Sequence, residues 1–337
     1  MHKNILNIYN TFDKVESILL GCVDKSLIKL RDPRHHSKLE KIFDKTEQDL
    51  NIVQYVLEKR GITVYRPTPS RNSGIVTPYF ESPSLDMPLT PRDTTLVLGD
   101  TLIETASWKT ERLFGTYDYR EIFLELQSNG AKWMSMPLPR HNYKSDNTEV
   151  EVINQDPIID GAAVLRVGKD VFVSNGGSHN QLGLDWLKTN FPEYRYHLTD
   201  KNFYGHMDAH ICVIRPGLLY TNHDRNSLPN QFKNWQVIRT PYDFDRTKIS
   251  EDDLIDDLIQ DDDRTNTVLS TNCLVLDQNT VMMPNHYKGQ KEVLDQFDKH
   301  KIEILFVPLT YQYFFGQGLT CMTQELYRDT DDLHDYF

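Results

Sequence analysis

Ala163-Val164-Leu165-Arg166-Val167-Gly168-Lys169-Asp170-Val171-Phe172-Val173 holds two β-branched apolar runs on either side of a Gly-Lys turn, the pattern of a tight hairpin. A helical segment follows from Asn180 to Asn190, with Leu182, Leu184, Trp186 and Leu187 as its apolar positions, and Pro192 stops it. Tyr194-Arg195-Tyr196-His197-Leu198 then reads as a third strand. The unit is hairpin, helix, strand, and it recurs. Thr95 to Leu98, a turn at Gly99-Asp100 and Thr101 to Ile103 lead to a helix from Tyr119 to Gln127 and a strand from Lys132 to Met136. Ile211 to Ile214, Pro216-Gly217 and Leu218 to Tyr220 lead to a short helix near Pro229 to Trp235 and a strand from Gln236 to Arg239. Cys273 to Leu276, Asp277-Gln278-Asn279 and Val281 to Met283 lead to a helix from Gly289 to His300 and a strand from Ile304 to Val307. A looser copy opens the chain: Val15 to Leu20, a helix from Thr46 to Lys59 and a strand from Ile62 to Tyr65.

Five such units predict an α/β fold with radial or stacked symmetry. Strands lie inside, helices outside, and a site forms at the axis where residues of different units converge. Pro67 to Pro91, Pro137 to Pro157 and Thr240 to Thr267 break the pattern and read as surface loops. The acidic run Glu251-Asp252-Asp253 to Asp261-Asp262-Asp263 in the last reads as a solvated face.

Of the 337 residues 39% are hydrophobic and 26% charged, and the formal net charge is −12. That balance suits a folded chain with a substantial core and disfavours nucleic acid and anionic membranes as partners. No apolar stretch approaches the ~18 residues of a membrane span. The first residues, Met1-His2-Lys3-Asn4-Ile5-Leu6-Asn7, lack the apolar core of a signal peptide, which points to a cytoplasmic protein. The four cysteines, Cys22, Cys212, Cys273 and Cys321, form no CxxC pair, which fits a reducing compartment. Twelve histidines occur without HxH or HExxH spacing, so no metal site is expected, and no cofactor motif was found.

Three cysteines lie in apolar runs and read as core residues. Cys321 differs. In Gly316-Gln317-Gly318-Leu319-Thr320-Cys321 its two glycines permit positive φ and close backbone approach. The expectation is a thiol presented on a turn to a bound molecule, a candidate nucleophile. Gly205-His206-Met207-Asp208 and Asp156-Pro157-Ile158-Ile159-Asp160 offer the histidine and carboxylates it would need.

Along nearly its whole length the chain resembles the arginine:glycine amidinotransferases of the guanidine-modifying pentein superfamily. The resemblance rests on Tyr9-Asn10-Thr11-Phe12-Asp13-Lys14-Val15-Glu16-Ser17, Thr77-Pro78-Tyr79-Phe80-Glu81-Ser82 and Pro91-Arg92-Asp93. It continues through Arg166-Val167-Gly168-Lys169-Asp170, His206-Met207-Asp208-Ala209, Asn222-His223-Asp224-Arg225, Leu269-Ser270-Thr271-Asn272 and Gly318-Leu319-Thr320-Cys321. It implies a single domain over residues 1–337 with the pentein fold, a five-fold pseudo-symmetric α/β propeller. It implies transfer of the amidino group of L-arginine through an amidino-cysteine to an amine, glycine by default, with release of L-ornithine. Cys321 would be the nucleophile, His206 the acid and then the base, and Asp160 its orienting carboxylate. Asp93 and Asp208 would clamp the guanidinium, with the His206 and Asp208 side chains on the same side if His206-Met207-Asp208 is extended, and Arg225 would grip the substrate carboxylate. The family includes dimers, and no interface motif decides for or against a homodimer here.

The sequence departs from the glycine enzymes in several places. Asn202-Phe203-Tyr204-Gly205 replaces Asn-Pro-Met, putting Phe203 where a polar residue touches substrate. Gln317 and Thr320 replace Gly and His, and Gln324 replaces a second cysteine. Hydrolysis of arginine or a related guanidine, as in the deiminases, is the alternative. A non-catalytic binding propeller is a third class, disfavoured because all three triad residues are retained.

Overall fold

The computed structural model describes residues 5–69, 74–78, 81–82, 86–140, 156–240, 271–330 and 333–337. Five three-stranded sheets dominate it, together with a two-stranded ribbon of Ile75–Val76 and Glu81–Ser82. Four sheets follow the predicted unit. In the third, Val164–Val167 pairs antiparallel with Asp170–Val173, the helix Gln181–Asn190 crosses over, and Arg195–Leu198 joins in parallel. A parallel third strand needs such a crossover, because a tight turn can only reverse the chain. The Asn180 side chain caps the helix by accepting from Gly183 N at 2.9 Å. The second and fifth units repeat this plan with helices Arg120–Ser128 and Lys291–Lys299. The fourth has only a 3-10 turn, Asn230–Phe232, where a short helix was expected. Phe232 and Trp235 there are aromatic anchors, packed edge to face at 5.0 Å.

The first unit departs further. Its helix, His36–Lys59, begins ten residues earlier than the sequence suggested. Leu39, Ile42, Phe43, Thr46, Leu50, Val53 and Leu57 are buried along one face. Its middle strand, Lys14–Leu20, pairs in parallel with Thr63–Tyr65 and antiparallel with Thr323–Asp329 from the other end of the chain. The hairpin of this unit is thus replaced by a pairing of the first and last strands.

Glu325, in that last strand, is 2% exposed. Three guanidiniums surround it. Arg92 pairs with Oε2, Arg328 Nη2 lies 3.0 Å from Oε1, and Arg166 Nη2 lies 3.5 Å from Oε2. The arginines also donate to backbone carbonyls, Arg166 Nη1 to Val97 O and Arg328 Nη2 to Val275 O, both at 2.8 Å. One carboxylate therefore ties the first, second, third and fifth units together. Burial opposes the charged form of Glu325, but Arg92, Arg328 and Arg166 hold it below the usual carboxylate range. Burial pulls Arg166 down to about 10 despite Glu325 beside it.

Part of the stretch from Pro67 to Pro91, expected as a surface loop, is buried: Pro88, Leu89, Thr90 and Pro91 are all inside, and Pro88 and Leu89 pack beside Gly21 and Cys22 of the first unit. The other expected loops, and the acidic run, lie almost wholly outside the described residues. Among the described residues no helix is long and apolar enough to cross a membrane.

Removing one partner of a buried ion cluster leaves the others uncompensated. Glu325→Gln should lower the urea-measured unfolding free energy by about 3–5 kcal/mol. Adding Arg166→Met, which removes a cation the lost carboxylate had neutralised, should restore part of that loss.

Candidate active site

Each unit sends a short turn into its antiparallel strand pair, and these turns carry the polar residues the sequence singled out. Asp93 lies in the helical turn Pro91–Thr94 ahead of Thr95–Leu98. Asp160 is the N-cap of Gly161–Ala163 ahead of Val164–Val167. His206 caps Met207–Ala209, which contains Asp208 and precedes Ile211–Arg215. Asn272 precedes Leu274–Asp277, and Cys321 precedes Thr323–Asp329.

Two glycines let the turns close on one another. A Cβ on Gly161 would lie 2.0 Å from Thr95 O, and one on Gly318 would lie 2.2 Å from Asn272 Oδ1.

The turns bring five of the six expected site residues into one connected cluster. His206 Nε2 lies 3.3 Å from Asp160 Oδ2, and its Nδ1 lies 3.7 Å from Asp93 Oδ1. Cys321 Sγ lies 3.6 Å from Asp208 Oδ2. Thr320 Oγ1 donates to that same oxygen at 2.9 Å. Two expectations need correcting. Cys321 is 3% exposed, not displayed on a surface turn, because Asn272 and Asp208 pack over its sulfur. The segment His206-Met207-Asp208 is not an extended strand; Met207–Ala209 is a 3-10 turn, and the two side chains face different partners.

Arg225 does not join the cluster. It is exposed, and its Nη1 donates to the Lys233 carbonyl at 3.3 Å. The cluster's guanidinium is instead Arg112, which sequence reading missed. Arg112 lies 2.9 Å from Asp86 through Nε, 2.9 Å from Asp93 through Nη2 and 3.6 Å from Asp160 through Nη1. Asn272 and Thr320 were likewise not foreseen as partners of the thiol and of Asp208.

The cluster is short of hydrogen-bond donors. Arg112 approaches Asp93 out of line, so neither Asp93 oxygen has a hydrogen-bond partner, and neither do Asp160 Oδ1 and Asp208 Oδ1. Orphaned buried acceptors cost about 1–3 kcal/mol each. Electrostatics agree. Burial pushes the Asp93 carboxyl up although Arg112 and His206 pull it down. Burial, then Asp208 and Asp93, push the Cys321 thiol well up. Burial disfavours the His206 imidazolium, but Asp93, Asp160 and Asp208 outweigh it and raise His206 to about 8. A cationic, planar, donor-rich ligand would satisfy every one of these groups.

No protein-family model matches the chain. Inosamine-phosphate amidinotransferase 1 of Streptomyces griseus is 25% identical over 361 residues, covering 99% of this chain and 100% of that protein. The mitochondrial glycine amidinotransferase of Gallus gallus is 28% identical over 381 residues, covering 98% and 84%. The L-arginine:L-lysine amidinotransferase of Pseudomonas savastanoi pv. phaseolicola is 26% identical over 271 residues, covering 69% and 73%. The solved structure of the Streptomyces griseus inosamine-phosphate enzyme superposes with a TM-score of 0.81 at 25% identity, over 99% of each chain. A dimethylarginine dimethylaminohydrolase shares the fold, with a TM-score of 0.58 at 13% identity over 92% of this chain and 98% of that one. The chain is thus similar over nearly its whole length to amidinotransferases, and it shares the α/β fold of the inosamine-phosphate amidinotransferase and dimethylarginine dimethylaminohydrolase structures.

The raised His206 pKa has a measurable consequence. The imidazolium's extra stabilisation is fully present below its unfolded pKa of about 6.5 and is lost as pH rises through about 8. Unfolding free energy should therefore fall by about 2 kcal/mol across that window. His206→Asn should flatten this decline in urea titrations run at intervals across it.

Proposed function

We propose that this homologue of the amidinotransferases moves the amidino group of L-arginine to a primary amine through a covalent amidino-cysteine on Cys321. One observation carries the reading: carboxylates of Asp93, Asp160 and Asp208, each with an oxygen lacking a hydrogen-bond partner, gather with a buried thiol that lies 3.6 Å from Asp208, and Arg112 and His206 are the cations set against Asp93 and Asp160. A guanidinium is a planar cation with five N–H donors, so it matches what the cluster lacks.

Asp93 and Asp208 hold the substrate guanidinium. Its charge also offsets the two carboxylates that keep the Cys321 thiol protonated, so binding favours the thiolate. The sulfur attacks the central carbon. An S–C bond forms, the bond from that carbon to the ornithine nitrogen breaks, and the thiol proton ends on the departing amine with His206 as carrier. Asp160 holds the His206 ring and stabilises its imidazolium. In the second half the acceptor amine attacks the amidino carbon and gives its proton to His206. The S–C bond breaks, and the sulfur takes the proton back. Atoms and charge close over the cycle, and no redox partner is required.

Residues 1–337 act in this reading as one domain, with the five units as blades of a propeller round a common axis. Glycine is the first acceptor to test. The relatives' names span inosamine-phosphate, glycine and L-lysine, so a screen should include an amino acid with a side-chain amine and a phosphorylated amino-cyclitol. Transfer is favoured over hydrolysis by the closer superposition on a transferase than on a hydrolase.

Incubation with guanidino-labelled arginine and an amine should yield ornithine and a labelled guanidino compound. Citrulline or ammonia as the labelled product would replace transfer by hydrolysis. Intact-mass analysis with arginine alone should show one amidino group on the protein. Cys321→Ala should abolish both signals and still bind arginine.

A further inference from the structure

The turn ahead of the fifth unit contributes a side chain that lies against the nucleophile. Asn272 is 2% exposed. Its Nδ2 lies 3.1 Å from Cys321 Sγ and 3.1 Å from Asp208 Oδ2. Which end of the amide faces the sulfur follows from the other contact. Oδ1 lies 2.8 Å from Thr320 N, and a backbone N–H can only donate, so that end must be the carbonyl. The amide hydrogens are thereby aimed at sulfur and carboxylate, one to each. Thr320 Oγ1 sits beside both Asp208 Oδ2 and Asn272 Oδ1, with a single proton to give one of them.

Gly318 fixes this arrangement from the other side. A Cβ there would lie 2.2 Å from Asn272 Oδ1 and 2.4 Å from its Cγ, so the amide occupies the space a side chain at 318 would fill. The rest of the sulfur's surroundings oppose a negative charge: burial, Asp208 and Asp93 all push the thiol up. Against them stand a backbone contact with Gly318 and the Asn272 amide.

We propose that Asn272 is a catalytic residue of this site, whose amide N–H binds the Cys321 sulfur as thiolate while its second N–H holds Asp208 beside it. The inference rests on the transfer reading for its place in the cycle. The sulfur is nucleophile when the S–C bond forms and leaving group when it breaks, and it carries negative charge at both moments. A donor fixed in advance at that atom favours both steps without rearranging. Removing it should slow formation of the amidino-cysteine and also its discharge to the amine.

The test begins without substrate. The pH dependence of Cys321 alkylation by iodoacetamide is followed by peptide mass in the full-length protein, with Cys321→Ala as the control for the other cysteines. Asn272→Ala should move the profile upward by about one pH unit and slow alkylation near neutral pH roughly tenfold. Asn272→Asp should move it further, since a carboxylate then faces the sulfur. An unchanged profile in a folded Asn272→Ala protein overturns the proposal. Should that variant fail to fold, Gly318→Ala, which keeps the amide but displaces it, is held to the same expectation. Single-turnover rates with arginine, and then with amine, complete the test. Wild-type rates for both halves in Asn272→Ala would overturn Asn272 while leaving the transfer reading intact. Absence of any amidino adduct on wild-type protein would sink the transfer reading, and the alkylation profile would still decide whether Asn272 holds the sulfur.

Discussion

A single buried carboxylate, Glu325, sets the geometry on which the rest depends. It meets guanidiniums from residues 92, 166 and 328, and those arginines reach carbonyls of the second and fifth units. A hydrophobic contact could bury the same area but would not fix direction, whereas a guanidinium fork fixes plane and angle. Three cations to one anion is an expensive interior, since each must be desolvated. The backbone carbonyls share that cost, and the result is registry between sheets that exchange few hydrogen bonds otherwise.

The registry reaches the chemistry directly. Arg92 precedes Asp93 in the chain, and its Nε donates to Thr320 O while its backbone N–H meets Cys321 O at 3.4 Å. Glu325 lies on the strand that Cys321 introduces. The ion cluster therefore ties the Asp93 turn to the Cys321 turn. A cavity of about 40 Å³ is lined by Arg92 and Glu325 and also by Asp208, Thr271 and Thr320, joining the two layers. The lower layer has excess positive charge and the upper excess negative charge.

Legibility in the sequence follows from how ordinary each signal is. The third unit was read almost to the residue, because apolar alternation, Asn180 and Pro192 all agree. The strand Thr323–Asp329 was missed. Its residues, Thr-Gln-Glu-Leu-Tyr-Arg-Asp, resemble a solvent-facing segment, and only the partners of Glu325 and Arg328, distant in sequence, make it a buried one. Arg112 was hidden for the same reason. It follows Lys109-Thr110-Glu111 in what reads as a surface run, yet three aspartates from separate elements enclose it. Cys321 stood out by its flanking glycines, and His206, Asp208 and Asp160 by their local sequence, while Asp93 came from family likeness alone; the structure adds the ion-pair and hydrogen-bond contacts that His206 makes with Asp160 and Asp93 and that Cys321 makes with Asp208. Arg225 was named by the same likeness, and proximity did not follow.

The loop that carries His206 departs from the glycine-enzyme pattern, and its packing shows how Phe203 is accommodated. Phe203, standing where glycine enzymes have a polar residue, is fully buried and stacks on His223 at 4.4 Å. His223 in turn meets His210 at 2.8 Å, and His210 meets the Tyr204 carbonyl at 2.9 Å. Backbone bonds from Asn175 to Phe203 and from Gly205 to Gly176 fasten the same loop to the third unit. Phe203 is thus accommodated by aromatic packing against His223 and His210. Tyr204 is left outward, 61% exposed, over Gly176 and Gly177. His206 is held by Asp160 and Asp93. The polar cluster thus sits on the pre-strand turns, while residues 202–205 belong to the loop beside them.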